Sequence, residues 1–260
     1  MVAGAGRIYL FREVFRGLYG MLLRWVFALA ALILIMGMAL YLFYLPSQVQ
    51  NRQFENLPWQ VQVVDPEHTR VLGMTLGQTS MARFQTRMTE QTGRLVVPEI
   101  RLFVDADGTR TLEAYYVNVR IPPFEANLIL QLALSEADLD WLESETTSER
   151  PMPSGARRYG LSDAALGSLG DIPIVEMSYI PRARWTPELL RERFGEPARR
   201  LRIDADHEYW LYPGQALAIL VPRRGRMLMH YTTRERWAST VERLHAEGRR
   251  RLGEDLESHE

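Results

Sequence analysis

The alternation of apolar and polar positions changes character along the chain. Trp25 to Leu45 reads WVFALAALILIMGMALYLFYL, 21 residues without a charge. At about 1.5 Å per residue such a helix covers roughly 31 Å, the thickness of a bilayer core. Trp25 stands at one end and Tyr41 and Tyr44 at the other, where amphipathic rings suit the headgroup boundary, and Pro46 stops the helix. The pattern predicts a transmembrane helix over residues 25–45. A signal peptide has a shorter apolar core and a small-residue cleavage site. Leu45-Pro46-Ser47-Gln48 offers no such site, so the expectation is an uncleaved signal anchor. Upstream, Ile8, Phe11, Phe15, Leu18, Tyr19 and Leu22 share one helical face opposite Arg12, Glu13 and Arg16. Residues 1–24 then form either an interfacial helix or an extension of the span.

Beyond a polar stalk (46–58) the periods become those of a globular fold. Residues 60–64 alternate as a strand, and Met81, Phe84 and Met88 mark a helix face. Strands are expected over 95–104 and 109–120, joined by Asp105-Ala106-Asp107-Gly108, a hairpin signal, and over 126–134. A short helix starts at Ser135, and the polar segment 143–155 reads as a loop and module boundary. The order then recurs: a short helix after Ser162, a strand over 174–180, and a helix capped by Thr186 with Pro187 behind it and Gly195 at its end. Strands follow over 198–203, 208–212, 215–221 and 226–231. A last helix carries Trp237, Val241 and Leu244, and a polar tail occupies 249–260. The expected fold class is α+β: one N-terminal transmembrane helix, then two helix-plus-antiparallel-meander modules over 59–150 and 151–248. One continuous α+β sheet is the alternative that the pattern leaves open.

Charge orients the span. Arg7, Arg12, Arg16 and Arg24 precede it against Glu13 alone, whereas Arg52 is followed by Glu55, Asp65 and Glu67. Arginine excess marks the cytoplasmic side, so the expected localisation is a bacterial inner membrane, N-terminus inside and the rest periplasmic. The whole chain holds 31 basic and 32 acidic residues, and the absence of a basic excess argues against a nucleic-acid partner. With no cysteine there is no disulfide, thiolate metal site, catalytic thiol or lipobox-type anchor. Every basic residue is arginine, which removes Schiff-base chemistry and a P-loop lysine.

Phe194-Gly195-Glu196-Pro197 after a short helix, then strands carrying Glu208-Tyr209-Trp210-Leu211-Tyr212-Pro213, resembles envelope proteins of the BamE/SmpA/OmlA type. Gly73-Met74-Thr75 to Phe84 is similar to that family's lead into its first helix. Tandem copies of such a unit occur in β-lactamase inhibitor proteins. The resemblance implies a helix-plus-sheet module that binds other proteins or envelope components without catalysis.

Candidate chemistry is sparse. Asp204-Ala205-Asp206-His207-Glu208 is the densest set of metal-ligand types, but it falls between two strands, where aspartates form Asx turns. His230 lies in an apolar strand with no serine or carboxylate partner implied by spacing, and reads as a structural histidine. No H-E-x-x-H, G-x-S-x-G or G-x-G-x-x-G occurs. We therefore expect no catalytic residue, metal or cofactor. Arg199, Arg200 and Arg202 with Arg223, Arg224 and Arg226 form a basic patch if their strands are neighbours, and Trp210 and Tyr212 are aromatic enough to anchor an interface. The expected function is a non-catalytic adaptor with an envelope or inner-membrane protein partner. The alternatives are an accessory subunit of a membrane complex and a lipid- or glycan-binding module with a cavity lined by groups such as Leu128, Leu130 and Tyr209.

Overall fold

A computed structural model describes residues 29–41, 56–121 and 124–246. The chain divides into two units, Met1–Gln53 and Phe54–Glu260. In the first, helix α1 (29–41) is exposed along its described length. No helix among the described residues is long and apolar enough to cross a membrane. This overturns the transmembrane element of the expected fold class, and with it the signal anchor and the single-pass inner-membrane localisation. Tyr41 ends the described helix; Trp25 and Tyr44 lie outside the described residues, as do segment 1–24 and the tail 249–260.

The second unit opens with a small antiparallel sheet of β1 (Gln62–Val63), β2 (Thr69–Val71) and β3 (Met74–Thr75). Helix α2 (Met81–Thr92) follows, its N-terminus capped by the Ser80 hydroxyl and its C-terminus closed by Gly93 at φ 68, where a side chain would be strained. Then come β4 (Glu99–Val104), β5 (Arg110–Ile121), β6 (Phe124–Leu132), α3 (Glu136–Ser144), β7 (Thr146–Pro151), β8 (Arg157–Leu161), α4 (Asp163–Ser168) and β9 (Ile174–Pro181). The chain continues through α5 (Pro187–Phe194), β10 (Arg199–Arg202), β11 (His207–Tyr212), β12 (Leu217–Pro222) and β13 (Leu228–Thr232) to helix α6 (237–246). The segment expected as a loop over 143–155 thus contains strand β7, whose exposed polar side chains hide its period.

All ten strands from β4 onward form one sheet in the order β10-β11-β12-β13-β9-β6-β5-β4-β8-β7, every neighbour antiparallel. The expected pair of separate modules is corrected accordingly. The seam is β6 against β9, where Leu128 faces Tyr179 and Leu130 faces Met177. Both strands alternate, so this register turns every second side chain of each to one common face. That main face carries the core: Leu102, Leu112, Tyr116, Leu130, Tyr179, Met229 and Ile219 belong to one buried cluster together with Phe84 of α2, Leu142 of α3 and Leu190 of α5. A second, smaller cluster on the opposite face joins Tyr209, Leu211, Ala218 and Ile203 to Leu244, with Trp237 and Val241 of α6 packed against it.

Candidate functional site

Three connections meet at one end of the second half of the sheet: β9 to α5, β10 to β11, and β12 to β13. The cleft between them holds about 730 Å³ and is bordered by Arg184, Arg202, Arg223 and Arg224, with Asp204, Asp206 and Glu208. A smaller adjoining hollow of about 270 Å³ adds Arg226 beside Arg184. Buried Trp185, Val221 and Met227 contribute apolar lining. Thr186, which also lines the cleft, accepts the Leu189 N–H at 3.3 Å and so fixes the start of α5.

The acids here are engaged, and most of the arginines are not. Asp204 closes its turn by accepting the Asp206 N–H and the His207 ring, both at 2.8 Å. Partial burial pushes its carboxyl up, but the Asp206 N–H and His207 outweigh this and hold it below the ordinary value. Asp65 makes the same staple with His68 at 2.8 Å, which marks the Asp-x-x-His arrangement as turn architecture. Glu208 accepts the Trp210 indole N–H at 2.6 Å. Arg223 reaches Asp206 at 3.8 Å. Arg184, Arg202, Arg224 and Arg226 are exposed and make no ion pair or hydrogen bond among the described residues. Among those residues, no group of three or more His, Cys, Asp or Glu side chains is placed to hold a metal ion.

The arginines expected as one patch are distributed over two faces. Arg202, Arg223 and Arg224 share the cleft. Arg200 stacks on Trp210 at 4.6 Å, with Arg191 over the same ring at 5.0 Å, and pairs with Glu196 at 3.6 Å. Arg199 turns to the opposite face and contacts His245 of α6. Trp210 and Tyr212 are buried, and the Tyr212 hydroxyl donates to the Gly195 carbonyl at 3.1 Å. Leu128 and Leu130 lie in the main core, whereas Tyr209 belongs to the cluster on the other face, so the three do not line one space. Arg226 belonged to the expected patch, whereas Arg184 was not singled out by pattern. The only signal for Arg184 is the Arg-x-Arg run 182–184, whose meeting with the run 224–226 depends on β13 pairing with β9.

A second polar cluster, invisible in the sequence, sits on the α6 face of the seam. His230 of β13 lies directly across from Ser178 of β9, Nδ1 to Oγ at 3.0 Å, and its Nε2 approaches Glu176 Oε2 at 3.1 Å. That second approach does not have hydrogen-bond geometry. Arg236 and Arg243 also reach Glu176, at 3.4 and 3.1 Å. The spacing implied no serine or carboxylate partner for His230, yet β9 brings it both, Ser178 and Glu176. The resulting Ser-His-Glu string lies on a sheet face whose ladder amides are paired between strands, so it has no array of free donors for an oxyanion. The chain matches no protein-family profile, no curated protein and no solved structure.

Proposed function

We propose that the protein is a non-catalytic binding module whose arginine-bordered cleft holds an acidic segment of a protein partner. One observation carries this reading: Arg184, Arg202 and Arg224 of the cleft and Arg226 of the adjoining hollow make no ion pair among the described residues, while the acids beside them are engaged in turns and side-chain pairs. Like charges gathered in this way repel, and a carboxylate-bearing ligand relieves that repulsion through bidentate guanidinium contacts. The apolar lining from Trp185 and Met227 adds contact area beside the charges. Charge complementarity of this kind acts on association rate and specificity, and it fades with salt.

The test is binding of a fluorescent poly-glutamate peptide. Arg184→Glu combined with Arg224→Glu should weaken it by about tenfold or more, and raising salt should weaken it further. Absent binding, or equal binding by the double variant, would sink the proposal. Preference for an oligonucleotide over poly-glutamate would also count against it.

A further inference from the structure

A separate basic hollow lies where β2, β3 and the start of α2 meet, and it shares no residue with the arginine-bordered cleft. It holds about 220 Å³; Arg70, Arg83 and Arg87 line it with Gly73, Thr75 and Thr79, and no carboxylate does. None of the three guanidiniums has an ion pair among the described residues. Arg70 Nε donates to Thr75 Oγ1 at 3.2 Å across the β2–β3 pair, and its other two nitrogens have no acceptor there. The hairpin turns through Leu72 at φ 50 and Gly73 at φ 71. A Cβ at Gly73 would stand 3.2 Å from Arg87 Nη1, so glycine lets that guanidinium lie against the turn. Two buried hydroxyls add donors. Thr75 and Thr79 are only 7% and 8% exposed. Thr75 Oγ1 accepts from Arg70, and Thr79 Oγ1 accepts the Thr75 N–H at 3.0 Å. Neither hydroxyl proton has an acceptor among the described residues, although a buried donor ordinarily has one.

We propose that this hollow binds a phosphate group, as the free ion or as a small phosphomonoester. A tetrahedral dianion accepts from guanidiniums on several sides and from both threonine hydroxyls, whereas a carboxylate is satisfied by a single guanidinium fork. The lining offers no apolar side chain against which a peptide could pack. The anion also offsets a cost written into α2. Arg83 is the third residue of that helix, whose first turn holds no acid, and a cation there opposes the helix dipole. Arg87, one turn further on, repels it. The helix amides are already engaged, since the Ser80 hydroxyl accepts the Arg83 N–H at 3.4 Å and the Ile172 carbonyl accepts the Met81 N–H at 3.0 Å. Side chains, not the helix end, therefore supply the donors.

Titration of the full chain with sodium phosphate at constant ionic strength, followed by NMR on the arginine Nε–H groups, reads the site. The signals of Arg70, Arg83 and Arg87 should shift together and saturate. Arg83→Gln with Arg87→Gln should weaken binding by about tenfold or more, and both positions are exposed, so unfolding is not expected. Arg83→Lys with Arg87→Lys keeps the charge without the fork and should recover only part of that loss. Arg184→Glu with Arg224→Glu should leave phosphate affinity unchanged while lowering that for poly-glutamate, so each site can fail without the other. Glycerol phosphate bound as tightly as phosphate would assign the hollow to a phosphomonoester, and its exclusion would assign it to the free ion; either result supports the site. Shifts that never saturate, equal affinity in the glutamine double variant, or acetate bound as tightly as phosphate would overturn the proposal.

Discussion

Glu176 is nearly fully buried, at 2% side-chain exposure, yet carries charge. Burial pushes its carboxyl up, but His230, Arg243 and Arg236 together outweigh that cost and hold it down at about 2. A carboxylate depressed from an ordinary 4.5 to about 2 stabilises the fold fully above pH 4.5, and that stability is lost as pH falls toward 2. The shift corresponds to about 3 kcal/mol. Denaturant unfolding between pH 5 and 2 should therefore show a decline that Glu176→Gln flattens, the variant being about 3 kcal/mol less stable at pH 7. A variant with the same slope as the parent would remove Glu176 as the cause. The same contacts explain why His230 alone was uninformative: Ser178 lies 52 positions away, and only the pairing of β13 with β9 brings them together.

Helices α5 and α6 sit on opposite faces of the same strands and are held differently. Thr186, Pro187 and Gly195 start and stop α5 by local chemistry, which is why its limits are readable before any fold is known. Thr186→Ala should cost about 1 kcal/mol, and because Thr186 also borders the cleft, poly-glutamate affinity should fall with it if α5 shifts. Chemical denaturation and anisotropy on the same variant check both. Helix α6 is held by tertiary contacts: Leu244, Trp237 and Val241 against the sheet, and Arg236 and Arg243 to Glu176. Trp237→Ala should raise amide exchange throughout α6 while leaving α5 unchanged. Strand β7 was hidden for the opposite reason, since five of its six side chains are exposed and its hydrogen bonds to β8 replace any apolar alternation.

At the scale of the whole unit, the β6–β9 seam makes one core from two similar runs of elements. Leu130 and Met177 face each other across it, both fully buried. Leu130→Ala should cost about 3 kcal/mol, and the loss should appear as a single transition reported alike by probes on either side of the seam. Two separated transitions would restore the picture of independent modules. The same continuity explains the cleft, because the turn after β12 meets the loop after β9 only once β13 has paired with β9. The apolar run near the N-terminus reads as one span of 21 uncharged residues, whereas no helix among the described residues is long and apolar enough to cross a membrane.

Taken alone, the sequence determined what local forces decide: the caps of α5, the Asp105–Gly108 hairpin, the helix face of Met81, Phe84 and Met88, and the concentration of arginine near residues 199–202 and 223–226. Each is set by side chains within a few positions of one another, where periodicity and backbone conformation act directly. Tertiary structure alone decided which strands are neighbours. That choice merged two expected modules into one sheet, gave His230 its serine and carboxylate, and sent Arg199 and Arg202 to opposite faces. Alternation within a strand names two faces but not which face is buried or what lies beside it, because both follow from contacts between residues far apart in the chain.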